Sequence, residues 1–528
     1  MTPPGPQPAW LARAVFYQIY PQSFYDANGD GVGDLAGIEA KLDYLADLGV
    51  NALWINPCFV SPFKDAGYDV ADYCRIAPRY GTNDQFKALL DAAHDHGIRL
   101  CLDLVAGHTS DQHPWFLQSQ RADPNEFTHR YVWTNNPWTK RDGDLDFISG
   151  NSDRAGAYAV NFFAHQPALN YGFGSPEGGY QQDVDAPAPR ATRAALKDTM
   201  KFWLDLGVDG FRVDLAGSLV KHDPQRVGIR RLWREIRTWL DDQYRDRVMI
   251  SEWGNPELAI DAGFHADFMQ HVGVAGYDAL VLGPETFPKR RASPYFDSFG
   301  RGDFRRFWTA FDFQQSRIAG RGLISLPSSN HDFVRPRHGR EPDDLKVLFT
   351  FLLTWPQLPF IYYGDEIGMR YVPGLTSKEG GFERTGSRTP MQWDGSPLAG
   401  FSTNPNATPY LPIDPLADRP TVAAQRADRD SLWHHVERLI YLRVTESDLA
   451  PDAPLAVLSD ASTGYPLLYR RGGSLIVAVN PGLDSHTVSL PPLGDAAPVL
   501  AHRCQAMHGP NGWQLRIGAR GYGVFSVR

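Results

Sequence analysis

Residues 207–214, GVDGFRVD, form a short apolar run that ends in an arginine and an aspartate. An amphipathic helical pattern at residues 190–206 precedes this run, and a second one follows at residues 228–244. Another apolar run then begins at residue 248. Strands that alternate with helices in this way are typical of βα units around a parallel sheet. The stretch therefore predicts an α/β fold.

The same alternation extends in both directions along the chain. Predicted strands lie at residues 14–20, 52–55, 99–105, 210–213, 248–251, 322–325 and 360–363, and predicted helices at 38–48, 83–96, 190–206, 228–244, 345–353 and 432–444. Eight such units close a (β/α)8 barrel, also called a TIM barrel. We therefore predict a barrel that is formed by residues 1–108 and 186–452.

Two segments do not fit the barrel repeat. Roughly 80 residues separate the third strand from the next clear helix, which is far more than an ordinary βα connection needs. We predict an inserted subdomain there, over residues 109–185, on the face where barrel enzymes place their loops. Short alternating runs after the last helix predict a small antiparallel β-sandwich domain at residues 453–528.

Composition and charge exclude several classes of protein. The 528 residues are 42% hydrophobic and 21% charged, as in an ordinary globular protein. A net charge of -9 without a basic stripe excludes a nucleic-acid partner. No basic leader opens the chain, no apolar run is long enough to cross a membrane, and the four cysteines lack CxxC spacing. We predict a cytoplasmic protein with a small neutral ligand and no membrane partner, while nothing indicates its oligomeric state.

Polar side chains follow the predicted strands at four places. Two of these places are the stretches Asp103 to His108 and Asn330 to Asp332. The other two are the strand ends at Asp214 and Glu252. In a parallel barrel these strand ends converge on one face. A single carboxylate at a strand end often only caps the next helix. Four coincident positions favour one pocket instead.

The motifs at these strand ends resemble glycoside hydrolase family 13, the α-amylase superfamily, and in particular its α-glucosidase, oligo-1,6-glucosidase and trehalose synthase branch. GVDGFRVD resembles the family's nucleophile block, MISEW its acid/base block and SNHD the block of its third carboxylate. Further resemblances are AVFYQIYPQSFYDANGDGVGDLAGI, GYDVADY, QPALNY, FIYYGDEIG and SRTPMQWD. The resemblance covers the chain from about residue 14 and implies a barrel enzyme that acts on an α-glucoside.

The resemblance also implies the roles of individual residues. Asp214 is the expected nucleophile, Glu252 the expected general acid/base and Asp332 the expected third carboxylate. The neighbours expected to bind substrate or tune charge are Arg212, His108 and His331. In a retaining mechanism the nucleophile is ionised while the acid, about 5 Å away, carries a proton. We expect Arg212 to keep Asp214 ionised, and Trp253 to raise the pKa of Glu252 by excluding water.

A second group of residues points to action at a chain end. Asp65 and Arg388 resemble the pair that grips the terminal glucose in α-glucosidases, isomaltases and trehalose synthases, and Tyr68 would offer a stacking face to that ring. The alternatives are an ordinary ion pair and a core tyrosine. We predict a retaining exo-acting α-glucosidase, with transglycosylation as a side reaction.

Residues 26–34, DANGDGVGD, place oxygen-bearing side chains at every second position around turn-forming glycines. The spacing resembles a calcium loop. The predicted ligands are Asp26, Asn28, Asp30, the carbonyl of Val32, and Asp34. Such a Ca²⁺ would be structural, and the sequence implies no organic cofactor. The alternative is a solvated turn in which the carboxylates accept hydrogen bonds from backbone amides.

The sequence departs from the family pattern at Gly107, Ala168 and Leu215, where Asn, Asp and a smaller residue are usual. These departures leave the glycosidic linkage and the acceptor open. A trehalose-synthase-like isomerase or an α-transglucosylase is therefore an alternative function, because a covalent glucosyl intermediate reacts with water or with a sugar. A non-catalytic amylase-like binding chain is a further alternative, but such chains lose carboxylates that are present here.

Overall fold

The computed structural model describes residues 5–139, 143, 145–270, 274, 276–283, 292–459, 464–490, 496–509 and 512–527. Within this part of the chain, eight parallel strands close a barrel, and each strand pairs with its neighbours in chain order. They are β1 (Phe16–Ile19), β2 (Ala52–Ile55), β3 (Arg99–Leu104), β4 (Gly210–Val213), β5 (Val248–Ser251), β6 (Ala266–Phe268), β7 (Leu323–Pro327) and β8 (Leu358–Tyr362). The predicted TIM barrel is confirmed.

Helices surround the barrel and connect its strands. They are α1 (Leu35–Glu39), α2 (Leu42–Leu48), α3 (Asn83–Asp95), α4 (Pro114–Ser119), α5 (Pro187–Leu206), α6 (Val227–Gln243), α7 (Pro256–Ala262), α8 (Tyr277–Leu280), α9 (Arg305–Ile318), α10 (Pro342–Thr354), α11 (Val422–Ala427) and α12 (Leu432–Thr445). In the described part of the chain, none of these helices combines the length and apolar character that a membrane span requires.

Several details of the barrel differ from the predicted pattern. Helices α7, α8, α9 and α11 were not predicted. The predicted helix at residues 38–48 is split into α1 and α2. Strand β6 was not predicted, because three residues, Ala-Asp-Phe, are too few to show a period. It is nevertheless fully buried and pairs with both β5 and β7.

Aromatic side chains fill the inside of the barrel. The rings of Phe16 and Phe360 stack with centroids 4.4 Å apart, and Phe268 meets Phe360 edge-on at 4.7 Å. Trp54, on β2, lies next to this cluster and is fully buried. Because these rings occupy the centre, the barrel interior is a packed core and not a pore, and the polar strand ends lie at one end of it.

The segment between β3 and α5 contains helix α4 and a two-stranded hairpin, Asp146–Ile148 with Tyr158–Val160. It contacts the barrel through a bridge between His108 and Ala168. The predicted bounds of this subdomain, residues 109–185, stay a prediction.

The C-terminal segment forms an antiparallel β domain, as predicted. Its strands are β9 (Leu455–Val457), β10 (Leu467–Arg471), β11 (Leu475–Asn480), β12 (His486–Ser489), β13 (Ala496–Gly509) and β14 (Gly512–Val527). They belong to one hydrogen-bonded network, because β14 pairs with β11, β12 and β13. The apolar side chains of Leu468, Ile476 and Phe525 contribute to a core within this domain.

Two buried arginines connect the C-terminal end of α10 to the segments that follow. Arg443, on α12, donates to the carbonyls of Leu353 and Trp355 at 3.0 and 3.1 Å. Arg471, on β10, donates to the carbonyl of Thr354 at 2.6 Å. The last carbonyls of a helix have no partner within it. Side chains from α12 and from the β domain therefore complete α10, just before β8 begins.

A buried carboxyl beyond β8 supplies a test of the packing. Glu366 accepts hydrogen bonds from the hydroxyls of Tyr17 and Tyr44 at 2.9 and 2.5 Å. Burial raises the pKa of Glu366 to about 7, above its ordinary value of 4.5. The folded protein therefore holds this proton more tightly than the unfolded chain, and the contribution of Glu366 to stability falls as the pH rises from about 4.5 to about 7.

We expect Glu366→Gln to be stabilising relative to the wild type above pH 7, because its carbonyl still accepts both hydroxyls and never ionises. The gain should grow between pH 4.5 and 8 by up to about 3 kcal/mol, since a tenfold change in proton affinity corresponds to about 1.4 kcal/mol. Denaturant unfolding at both pH values measures it. Glu39→Gln, at an exposed position, is the matched control and should show no such pH dependence.

Candidate active site

The polar ends of β3, β4 and β5 meet around one guanidinium group. Nη1 of Arg212 donates to Oδ1 of Asp103 at 2.9 Å and to Oδ1 of Asp214 at 3.0 Å. Nη2 of the same arginine lies 2.8 Å from Oε2 of Glu252. Arg212 thus holds the predicted nucleophile, Asp214, close to the predicted acid/base, Glu252.

Asp103 and Trp54 form the floor of this group. Asp103 is fully buried and accepts from Nε1 of Trp54 at 3.1 Å and from the hydroxyl of Tyr68 at 2.8 Å. The guanidinium of Arg212 lies 4.8 Å from the centre of the Trp54 ring. Asp103 was not predicted as a site residue, although it stands at a strand end in the same run as His108.

Opposing influences act on the carboxyl of Asp214. Burial raises the pKa of Asp214, and the Glu252 and Asp103 carboxylates raise it further, while Arg212 lowers it. Arg212 therefore favours the ionised form of Asp214, which is the direction predicted, and the ionised state of Asp214 stays a prediction.

The backbone after Asp214 is strained. Leu215 adopts the left-handed conformation, with φ 42° and ψ 41°, which costs a residue with a β-carbon about 1 kcal/mol or more. Its N–H donates to Oε2 of Glu252 at 3.4 Å. The strained residue thus adds a second link between the Asp214 strand and the Glu252 carboxylate.

Asp332, beyond the end of β7, has cationic partners of its own. Its Oδ1 accepts from Arg384 at 2.7 Å and from Arg388 at 3.2 Å, and its Oδ2 lies 3.4 Å from Nε2 of His331. Burial alone would raise the pKa of Asp332, but His331 and the two arginines hold it well below its usual range. Asp332 is therefore ionised at neutral pH.

Two amides fix the ring of His331. The amides of Gln18 and Asn56 donate to its Nδ1 at 2.9 and 3.3 Å. With Nδ1 accepting, Nε2 carries the hydrogen and points it at Asp332. The ring also stacks on that of Tyr68, with centroids 5.4 Å apart and planes 3° from parallel. His331 is thus oriented as a neutral donor to the third carboxylate.

The predicted pair Asp65 and Arg388 lies in the same cluster, but a third residue joins them. Oδ2 of Asp65 accepts from Gln166 at 2.7 Å, and its Oδ1 lies 3.6 Å from Arg384. Burial raises the pKa of Asp65 to about 6. Arg384 was missed in the sequence, because it stands four residues before Arg388 and outside the run SRTPMQWD that resembles the family. Two carboxylates and two arginines thus form one charged wall.

Tyr68 and His108 support the site from below. The Tyr68 hydroxyl binds Asp103 and accepts from Asn56 at 2.9 Å, so its polar end is fully engaged. Nε2 of His108 donates to the carbonyl of Tyr68 at 2.9 Å. Both side chains are buried. All the residues predicted around the three carboxylates therefore converge in one place.

The predicted calcium loop lies elsewhere, between β1 and α1. Asp26 accepts from the amides of Gly29 and Gly31 at 2.7 and 2.8 Å and from Ser402 at 2.6 Å. Asp34 accepts from Asn28 at 3.0 Å and caps α1. Among the described residues, no group of three or more acidic, histidine or cysteine side chains is placed to hold a metal ion. Asp26 and Asp34 thus accept hydrogen bonds from backbone amides, and Ca²⁺ binding by this loop stays a prediction.

Calcium binding by residues 26–34 is tested by melting the protein with and without the ion. If the loop binds Ca²⁺, metal-free protein should gain several degrees in Tm on addition of CaCl2, because a ligand that binds only the folded state stabilises it. Mg²⁺ at the same concentration and the variant Asp30→Ala are the controls. An unchanged Tm would leave the loop as a turn that its own amides stabilise.

Comparison with known proteins decides the family. The model of the α-amylase catalytic domain matches residues 18–452. The chain belongs to the α-amylase family. The matched region begins within β1 and contains the other seven barrel strands and all the site residues described above, and the family identifies the protein as a glycoside hydrolase.

Relatives within the α-amylase family carry different activity names. An oligo-1,6-glucosidase of Parageobacillus thermoglucosidasius is 32% identical over 500 residues, which cover 82% of this chain and 83% of the relative. A trehalose synthase of Pimelobacter is 32% identical over 496 residues, which cover 83% and 80%. The crystal structure of a trehalulose synthase from Pseudomonas mesoacidophila superposes with a TM-score of 0.82 at 26% identity, covering 99% of this chain and all of the other.

Proposed function

We propose that the protein is a retaining, exo-acting α-glucosidase that removes terminal α-linked glucose from short oligosaccharides or α-glucosides. Asp214 is the nucleophile, Glu252 the acid/base and Asp332 the carboxylate that binds the sugar hydroxyls. The observation that supports this most strongly is the contact of one guanidinium, Arg212, with both Asp214 and Glu252. A retaining mechanism requires its two carboxyl groups to stand that close.

The reaction follows from the charges of these groups. The protonated carboxyl of Glu252 donates to the glycosidic oxygen while Asp214 attacks the anomeric carbon, so the aglycone leaves as an alcohol and a glucosyl ester forms. A water molecule then loses its proton to Glu252 and displaces Asp214, which releases α-glucose.

The charged wall supports action at a chain end. Asp65, Asp332, Arg384 and Arg388 face each other across a few ångströms, so the pocket offers charged hydrogen-bond partners to the hydroxyls of one sugar. Hydrogen bonds to charged groups are stronger than neutral ones, and buried charges without partners are costly. The charged wall therefore favours a terminal glucose, whose hydroxyls are free, over an internal residue of a longer glucan.

Product analysis tests the proposal. The purified protein is incubated with maltose, isomaltose, sucrose, trehalose, kojibiose, nigerose, 4-nitrophenyl α-D-glucopyranoside and a maltodextrin, and proton NMR records the first anomer released. Initial release of α-glucose supports the retaining α-glucosidase and identifies the linkage. Initial release of β-glucose contradicts the retaining mechanism, and products from internal bonds of longer maltodextrins contradict exo action.

A second candidate is a trehalose-synthase-like isomerase or an α-transglucosylase. It is favoured by the names of relatives and structural neighbours, which include trehalose synthases and a trehalulose synthase. The same glucosyl intermediate would react with a sugar hydroxyl instead of water. New disaccharides without net glucose, formed from maltose or sucrose in the same assay, would establish this alternative.

A further inference from the structure

The space beside Gly107 is occupied by an amide from another part of the chain. A β-carbon at position 107 would collide with Nδ2 of Asn161, while its next neighbour from elsewhere in the chain, a Leu219 methyl group, is at 3.9 Å. Gly107 is not among the glycines with positive φ, so its backbone accepts other residues. Asn161 therefore fills the volume that a side chain at position 107 would take.

Asn161 stands in a chain of hydrogen bonds whose directions are fixed. The Lys221 ammonium, which can only donate, binds Oδ1 of Asn161 and the carbonyl of Ser218, both at 2.7 Å. Nδ2 of Asn161 consequently faces Nδ1 of His108, at 3.3 Å. Nδ1 must then be the acceptor, so Nε2 carries the hydrogen that is donated to the Tyr68 carbonyl.

The charges along this chain are unusual. Lys221 is buried, and no carboxylate lies within 4 Å of its ammonium in the described part of the protein. Burial lowers the pKa of Lys221 to about 8 and that of His108 to about 4. The titratable groups that act on His108 are Lys221 and His165, and both disfavour its protonation. The neutral amide of Asn161 separates Lys221 from His108. The imidazole of His108 is therefore neutral, and its hydrogen is on Nε2.

The chain of bonds ends at the substrate pocket. Asn161 directly follows the hairpin strand Tyr158–Val160 of the inserted segment, whereas Lys221 follows β4 and His108 follows β3. The last acceptor, Tyr68, carries the hydroxyl that binds Asp103 and the ring that stacks on His331. An amide from the inserted segment is thus connected to the floor and wall of the pocket.

We propose that Asn161 is a positioning residue for catalysis: it takes the place of a side chain that the barrel lacks at Gly107, fixes the tautomer of His108, and through it holds the main chain of Tyr68. The inference rests on the proposed function, since the kinetic consequences require a reaction at this site. Asn161 acts through His108 and does not itself contact the reacting atoms.

A double-mutant cycle tests this role. Asn161→Ala should lower Tm and reduce kcat/KM for 4-nitrophenyl α-D-glucopyranoside about tenfold, as expected for the loss of a buried hydrogen bond to a charged partner. Gly107→Asn should be damaging in the wild type, where Asn161 occupies the space. In the Asn161→Ala background the same change should recover at least half of the lost Tm and activity. Independent, additive effects of the two changes would overturn the proposal.

A pH profile separates positioning from simple packing. Asn161→Asp keeps the size of the side chain but turns a carboxylate towards Nδ1 of His108, which favours protonation of the ring. The variant should show an additional ionisation in kcat/KM between pH 5 and 8 that the wild type lacks. A profile that differs only in amplitude would reduce Asn161 to a packing role. If the wild type cleaves none of the glucosides, the proposed function fails, and the Tm values of the double-mutant cycle still decide whether the two positions are coupled.

Discussion

Asp214→Asn is expected to reduce hydrolysis of 4-nitrophenyl α-D-glucopyranoside by roughly 10⁴-fold or more, the scale on which enzymes lose activity without their nucleophile. An amide cannot form the glucosyl ester, so the first step has no covalent route. The fold should be kept, because the amide oxygen still accepts from Arg212. The measurement is kcat by release of 4-nitrophenolate, with Tm as the test of folding.

The role of Asp214 is separated from that of Glu252 by a small external nucleophile. In Asp214→Gly, azide fits the vacated space and attacks the face that Asp214 occupied, so it should yield β-glucosyl azide. In Glu252→Ala, Asp214 still forms the ester, and azide should then displace it to give α-glucosyl azide. The same anomer from both variants, or substantial activity in Asp214→Asn, would show that these roles are assigned wrongly.

Arg212→Met is expected to abolish activity and to destabilise the protein at neutral pH. The guanidinium contacts Asp103, Asp214 and Glu252, and it is almost completely buried. Removing one partner of a buried ion pair leaves an uncompensated charge and costs about 3–5 kcal/mol. We therefore expect a loss of that size in the free energy of unfolding at pH 7.5, measured by denaturant titration.

The pH dependence of this loss has a definite sign. Without the cation, the pKa values of Asp103 and Asp214 rise further, and the folded state binds protons more tightly than the unfolded chain. The penalty should therefore be small near pH 4.5, where protons replace the guanidinium, and should grow as the pH rises towards 7.5. Arg212→Lys keeps the charge without the planar fork and should recover part of the stability. A penalty equal at both pH values would contradict the electrostatic explanation.

The sequence predicted the fold and the site best where polar residues follow strands with a clear apolar pattern. The alternation of strands and helices predicted the barrel, and the polar residues at strand ends predicted which side chains meet. Strand β6 is too short to show a period, and its place is determined by its pairing with β5 and β7. Arg384 reaches the site from a short 3-10 helix, Phe382–Ser387, whose position no local pattern indicates.

The full set of partners of Arg212 was the least accessible part of the prediction. Arg212 was expected to act on Asp214, because the two lie two residues apart on one strand. The structure places the same guanidinium against three carboxylates from three strands, and two of them, Asp103 and Glu252, raise the pKa of Asp214. Such sharing depends on distances between segments that are far apart in the chain, and no sequence spacing records it.

The two arginines that bind the last carbonyls of helix α10 affect the order in which the chain folds during synthesis. Strand β8, which follows that helix, closes the barrel by pairing with β1, near the beginning of the chain. Arg443 and Arg471 come after β8 in the order of translation. A nascent chain therefore has every barrel strand outside the ribosome before the carbonyls at the end of α10 acquire these partners. Ribosome-bound chains that stop before residue 443 should be more open to proteases around α10 than chains long enough for residue 471 to have left the ribosomal exit tunnel.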